Sequence, residues 1–181
     1  EKFILSQYWF AQVIFYKLFS VLGAPGIIFL RATVFSLLVF LLWFVLKKRG
    51  LYSSLIISGL VATILQLYKL DRPQYFSFVF CLILILLFEK FREKPESTTP
   101  LYFIPPLMLL WANMHGGFVF GDAVIILYAV SEVLKFFINK PALIGQPLEK
   151  KAVMTFLAIS LTAILFSYIN HDMNGQLFVT L

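Results

Sequence analysis

The stretch Trp111-Ala112-Asn113-Met114-His115-Gly116-Gly117 interrupts apolar sequence on both sides and contains one of the two histidines of the chain. Residues 101–113, which lead into its turn, would rise only about 20 Å as an α-helix, against a membrane hydrocarbon core of roughly 30 Å. The apolar run after it, residues 118–138, is long enough to cross. If both runs are membrane helices, the turn lies below the membrane surface. Irregular backbone survives at that depth only where protein or a wet cavity satisfies its polar groups, so the stretch predicts a functional site.

The composition of the 181 residues is that of a membrane protein. Hydrophobic residues make up 61% of the chain and charged residues only 13%, and the mean hydropathy is +0.91. A soluble domain of this size could not bury so much apolar surface, so we expect an all-α, polytopic transmembrane helical bundle in a lipid bilayer. The single cysteine, Cys81, excludes an intrachain disulfide.

Helix-breaking and charged residues divide the chain into apolar segments. Residues 1–26 predict an interfacial helix and a turn, because the segment 3–22 carries several polar side chains and Gly23-Ala24-Pro25-Gly26 breaks it. A poor spanning helix is the alternative for this segment. About six spans follow, at residues 27–46, 51–68, 75–91, 101–113, 118–138 and 152–169. We therefore expect a single transmembrane domain over residues 1–181, belonging to a longer protein because the apolar pattern starts and stops in mid-segment.

Basic residues are unevenly divided between the two sides that alternating spans define. Ten of the 15 lysines and arginines fall on one side and four on the other. By the positive-inside tendency, the loops at residues 47–50, 92–100 and 139–151 face the cytoplasm. The formal net charge of +6 is thus spread over separate membrane loops, which argues against a nucleic-acid partner.

The less common polar residues collect on the opposite, external side. Arg72 comes just before the span at residues 75–91, and a guanidinium beside a helix N-terminus provides an anion site. An interfacial anchor is the alternative for this side chain. Asn113 and His115 share one recessed turn, which favours a binding role. The structural alternatives are a capping role for His115 and a position at the membrane interface for Trp111.

Three further charged residues lie beyond the turn. Asp122 is costly in lipid and requires a partner or water, so it is a candidate to line the same cavity. Glu132 and Lys135 stand three residues apart on one helix and are expected to pair. No second histidine or carboxylate stands at ligand spacing within residues 111–117, so no metal-ligating residue is predicted there.

Two short motifs carry a family resemblance. Arg72-Pro73-Gln74-x-Phe76-Ser77 opens a span, and Trp111-Ala112-Asn113-x-His115-Gly116-Gly117-Phe118 follows about forty residues later. Together they resemble a group of bacterial polytopic proteins similar to C-type-fold (GT-C) glycosyltransferases, which take sugars from polyprenyl-phosphate carriers. The resemblance covers most of the chain. The catalytic aspartate usual in that family would fall before Glu1, so no catalytic residue is assigned, and Asn170-His171-Asp172 stands where the group commonly has Asn-Pro.

The resemblance implies a sugar transfer at the external face of a bacterial inner membrane. A polyprenyl-phosphate-linked sugar would be the donor substrate, a protein or a glycan the acceptor, and a requirement for a divalent metal stays open. Arg72 and His115 would hold the donor phosphate, while Asn113, Asp122 and Trp111 would line the site. A non-catalytic integral-membrane subunit or scaffold of a larger complex is the alternative, and a transporter comes third because no internal repeat is present.

Overall fold

The computed structural model describes residues 8–67, 73–137 and 148–169, and all the regular secondary structure within these ranges is helical. The described residues form six α-helices: α1 (Trp9–Leu46), α2 (Leu51–Leu67), α3 (Gln74–Glu93), α4 (Ile104–Met114), α5 (Phe118–Phe137) and α6 (Lys150–Ser167). Two 3₁₀-helices, Lys47–Arg49 and Thr99–Phe103, precede α2 and α4. The all-α prediction is confirmed for the described residues.

Three of these helices, α1, α3 and α6, are long and apolar enough to cross a membrane. The prediction of about six spans is not confirmed. In the described part of the chain α2 has 17 residues and α4 only 11, while α5 has 20 residues but includes Asp122, Glu132 and Lys135. The three apolar helices support a lipid bilayer as the environment of the protein.

Helix α1 is two helical segments joined at a kink. Gly23 has φ 63° and ψ −152°. These values lie outside the helical region, and glycine adopts them without steric cost. Pro25 follows two residues later, where its ring prevents a regular helix from continuing across the break. The sequence places the break correctly. The predicted interfacial helix and the first predicted span are the two segments of α1, and Ala11 of the first segment is fully buried in the bundle core.

The short helix α4 lies at the centre of the bundle, in contact with α1, α3, α5 and α6. Its 11 residues rise only about 16 Å, so the expectation of a helix too short to cross is met. Ile104, Met108 and Trp111 are fully buried, and Met114 at its last turn is 3% exposed. The helix therefore ends among packed side chains, and the turn that follows it is surrounded by other helices.

Candidate functional site

His115 ends α4 and connects it to its neighbours. Its extended backbone (φ −162°, ψ 140°) stops the helix, and its N–H donates to the Trp111 carbonyl at 2.9 Å. Its ring nitrogen Nδ1 accepts the backbone N–H of Gly117 at 2.9 Å and lies 2.8 Å from Ser77 Oγ on α3. The Tyr8 ring stacks on the imidazole with centroids 5.1 Å apart. His115 thus joins the start of α5 to the first turn of α3.

His115 does cap a helix end, but not through the carbonyl groups that the structural alternative names. The imidazole accepts an N–H at the start of α5 instead of donating to carbonyl groups at the end of α4. Burial lowers the pKa of His115 below its ordinary value, because desolvation disfavours the charged imidazolium. The residue is nevertheless only partly buried.

Trp111 and Ser77 form the buried support of this histidine. The Trp111 indole N–H donates to Ser77 Oγ at 2.9 Å, and the Ser77 hydroxyl in turn lies against His115 Nδ1. Trp111 is 0% exposed. It was expected to line the site, but its position behind Ser77 gives it a supporting role and no contact surface for a ligand.

Two glycines allow the helices to approach this closely. A Cβ atom at Gly117 would lie 2.5 Å from Ser77 Oγ and 2.8 Å from His115 Nδ1. A Cβ atom at Gly121, one turn further along α5, would lie 2.6 Å from the Trp111 ring. Larger residues at either position would push α5 away from the histidine and its support, so these glycines are part of how the site is built.

Asn113 holds three segments of the chain together. Its Oδ1 accepts the Trp9 indole N–H at 2.9 Å, and its Nδ2 donates to the carbonyls of Leu109 at 2.8 Å and Ile169 at 3.1 Å. Both amide hydrogens and the amide oxygen are therefore engaged. Asn113 fixes the start of α1 and the end of α6 around the turn, and its contacts in the described chain are structural.

Asp122 lies on α5 and contacts α6. Its carboxylate is 6% exposed, and Ser167 Oγ lies 3.1 Å from each carboxylate oxygen. Within the described residues no hydrogen bond joins Asp122 to His115. The structure therefore shows Asp122 bonded to a partner on α6, and a place for it beside the histidine stays a prediction.

Arg72 lies outside the described residues, as do Asp71 and the motif Asn170-His171-Asp172. Its convergence with His115 therefore stays a prediction. The described chain does show that α3 begins at Gln74, two residues after Arg72 in sequence, and that Ser77 in the first turn of α3 contacts His115.

The described residues contain no group of three histidine, cysteine, aspartate or glutamate side chains placed to hold a metal ion. The structure therefore assigns no ligands for the divalent metal that the sequence leaves open. His115 contacts a serine, a backbone amide and an aromatic ring, which is the environment of a hydrogen-bonding side chain.

A second polar cluster lies at the other end of α3. Arg92 pairs with Glu132 of α5, and Lys135 Nζ lies 2.7 Å from the same carboxylate oxygen, Oε1. The predicted pairing of Glu132 with Lys135 is confirmed. The Glu132 side chain is 3% exposed, and its other oxygen, Oε2, is buried with no hydrogen-bond partner among the described residues. Near the same end, Lys48 forms an exposed ion pair with Glu93.

Three residues that contact the site have no role predicted from the sequence: Ser77, Tyr8 and Trp9. Ser77 closes the first of the two motifs, so a signal for it was present, but nothing local indicates that its partners lie 34 and 38 residues later. Tyr8 and Trp9 contact the turn from about a hundred residues away in sequence. Only the packing of helices against α4 brings these side chains together.

Comparisons of this chain with protein families, with curated proteins and with solved structures found no match.

Proposed function

We propose that this chain is the membrane-embedded part of a glycosyltransferase that takes a sugar from a polyprenyl-phosphate donor. Transfer would take place at the external face of a bacterial inner membrane, to a protein or glycan acceptor. One observation carries the proposal: the two motifs that resemble GT-C enzymes touch each other. Ser77 of the first motif lies 2.8 Å from His115 of the second and accepts a hydrogen bond from Trp111. Motifs about forty residues apart thus form one continuous group of polar contacts.

The start of α3 is suited to a negatively charged ligand. Pro73 occupies the N-cap position without a side-chain hydrogen bond, and the first turn contains no acidic residue. Among the described residues no side chain caps the backbone N–H groups of that turn, which carry the positive end of the helix dipole. Arg72 precedes this turn in the sequence, so in the proposal its guanidinium adds fixed charge for a phosphate.

The remaining site residues take supporting roles in this proposal. Asn113 and Trp111 hold the turn against α1 and α3, and Asp122 ties α5 to α6. His115 presents the part of its ring that is not engaged with Ser77 and Gly117. The general base would be a carboxylate encoded before Glu1, as the resemblance implies.

Donor binding in the complete protein tests the proposal. Arg72→Lys should lose much of the binding despite keeping the charge, because lysine lacks the two-pronged donor geometry of arginine. Arg72→Ala should lose nearly all of it, and His115→Ala should weaken binding without unfolding the protein. Lys17→Ala removes a charge from an exposed position of α1 and serves as the control. Normal donor binding by a protein carrying both Arg72→Ala and His115→Ala would exclude the proposed site.

The orientation of the chain has its own test. Single cysteines placed at residues 47–50, 92–100 or 139–151, in a protein carrying Cys81→Ala, should resist a membrane-impermeant thiol reagent in intact cells. Cysteines in these loops should become reactive after the membrane is permeabilised. Labelling from outside at two of the three loops would reverse the orientation and move the proposed site to the cytoplasmic face.

The second candidate function is a non-catalytic membrane subunit. It is favoured by the complete use of Asn113 and Trp111 in structural hydrogen bonds. It is also favoured by the exposed apolar side chains of α2, among them Leu55, Ile56 and Leu60, which a partner helix could cover. In that case His115→Ala would weaken assembly with partner chains and leave lipid-phosphate binding undetectable in both the variant and the unaltered protein.

A further inference from the structure

The hydrogen bonds around His115 decide which ring nitrogen carries the proton. The backbone N–H of Gly117 can only donate, and it points at Nδ1 from 2.9 Å. A proton on Nδ1 would face this amide hydrogen and abolish the contact. Nδ1 must therefore be an unprotonated acceptor.

Ser77 and Trp111 reinforce the same arrangement. The Trp111 indole N–H is also a donor only, and it donates to Ser77 Oγ at 2.9 Å. Because Nδ1 already faces the Gly117 N–H as an acceptor, the serine hydroxyl is the donor in its 2.8 Å contact with His115 Nδ1. Trp111 is 0% and Ser77 8% exposed, so water does not compete readily for either contact.

The opposite ring nitrogen is the one available to a ligand. In the described part of the chain His115 Nε2 has no hydrogen-bond partner. His115 as a residue is only partly buried. Nε2 is therefore the ring nitrogen left for a ligand. An N–H on a ring held by fixed contacts is a directed hydrogen-bond donor.

We infer that His115 is held as a neutral imidazole with its proton on Nε2, and that this N–H donates to an anionic oxygen of the ligand. Ser77 and Trp111 are positioning residues that fix the tautomer and the ring orientation. The inference deepens the proposed function and depends on it for the identity of the ligand, a phosphate oxygen. It assigns His115 the part of a neutral donor. The roles of cationic clamp and general base would each require a different protonation state at Nδ1 or Nε2.

Nitrogen NMR of the protein in lipid nanodiscs tests the tautomer without any ligand. The chain has two histidines, so His171→Gln leaves His115 as the only imidazole. At neutral pH the spectrum should show a protonated Nε2 and a bare Nδ1. Adding Ser77→Ala should increase the share of the Nδ1–H tautomer, whereas a general loss of packing would raise the imidazolium share by removing the burial that lowers the pKa of His115. A protonated Nδ1 in the unaltered site, or an unchanged spectrum in the Ser77→Ala variant, would overturn the inference.

Binding of a short-chain polyprenyl phosphate to the complete protein tests the donor role. Glutamine can place an amide N–H near the position of Nε2, whereas the shorter asparagine cannot. We expect His115→Gln to keep most of the affinity, and His115→Asn to lose roughly 10- to 100-fold, the range for a lost hydrogen bond to a charged group. Equal losses in both variants would overturn the donor role.

The two experiments separate the inference from the function on which it rests. An Nε2–H spectrum with no phosphate binding in the unaltered protein would refute the proposed function and leave the tautomer established. An Nδ1–H spectrum with binding that depends on Arg72 would refute the inference and leave the proposed function in place.

Discussion

The two ends of α3 meet the same problem, polar side chains inside an apolar bundle, in opposite ways. Ser77 and Arg92 mark these ends and are about 22 Å apart along the helix axis. At the Ser77 end the contacts join neutral groups: an indole, a hydroxyl, an imidazole and a backbone amide. At the Arg92 end a single carboxylate, that of Glu132, faces both Arg92 and Lys135.

The two ends also differ in burial. His115 is only partly buried, while Glu132 Oε2 is buried with no hydrogen-bond partner among the described residues. A neutral network at a partly buried residue can take up and release a ligand at little electrostatic cost. A buried ion pair is expensive to separate and serves as a permanent connection between helices. The comparison predicts that changes at the two ends affect stability and binding differently.

The largest loss of stability should come from Glu132→Gln. The change keeps the shape of the side chain and removes the charge that balances Arg92 and the buried Lys135. Breaking a buried ion pair from one side costs about 3–5 kcal/mol of unfolding free energy. Unfolding in detergent micelles measures it, and adding Lys135→Met should restore part of the loss. A change below about 1 kcal/mol would mean that this end is as well hydrated as a surface pair.

Gly117→Ala should be the next most harmful change. The added methyl would lie 2.5 Å from Ser77 Oγ and must displace α5 or the serine. Overpacking of this kind costs about 1–3 kcal/mol. Gly59→Ala on α2 is the matched control, because its Cβ meets no atom within 4 Å. The control should be stabilising by up to about 1 kcal/mol, the helix-propensity difference between the two residues. Similar effects of the two alanines would show that α5 does not approach α3 closely.

Acidification should lower the free energy of unfolding through His115, by less than either substitution above. Burial lowers the pKa of His115 in the folded protein, so below about pH 6.5 the unfolded chain binds the proton more readily. Stability therefore falls as the pH drops through that value and is regained as the pH rises. Tyr8 is the one titratable side chain in contact with the ring among the described residues.

The loss per unit of pKa shift is at most about 1.4 kcal/mol. Comparing unfolding near pH 7.5 and near pH 5.5 for the unaltered protein and for His115→Gln isolates this contribution, because other titrating groups are common to both. A steeper fall with acid in His115→Gln than in the unaltered protein would contradict the assignment of a neutral imidazole.

The smallest effect should follow Lys48→Ala. Lys48 pairs with Glu93, but the two side chains are 65% and 48% exposed. Exposed pairs are screened by water and salt and contribute less than about 1 kcal/mol. The loss should shrink further in high salt. A large, salt-independent loss of stability would show that this pair behaves like the buried ion pairs of Glu132.

The sequence predicted the features that depend on neighbours along the chain. The break at Gly23, the shortness of α4 and the pairing of Glu132 with Lys135 all follow from residues within a few positions of one another. The supporting role of Trp111 could not be predicted in this way, because a tryptophan near a helix end is also common at a membrane interface. Its buried position depends on Ser77, 34 residues earlier. Such pairings are set by how helices pack, which local patterns do not specify.

The number of membrane spans is also not determined by local sequence patterns. The sequence predicts a span at residues 118–138, and α5 in this region has 20 residues but includes Asp122 and Glu132, each bonded to another helix. A charged residue with a partner can lie on an inner face of a membrane bundle, so the span at α5 is neither confirmed nor excluded by these charges.

The kink at Gly23 divides α1 into two helical segments that need not share one axis. The first segment is anchored at the site, since Trp9 bonds to Asn113 and Tyr8 stacks on His115. The second leads to the 3₁₀-turn and α2, with Leu38 buried along its length. A straight helix of 38 residues would transmit any tilt of one end directly to the other. Because the helix is broken at Gly23, a tilt of the second segment need not be transmitted to the first, which stays bonded to the turn.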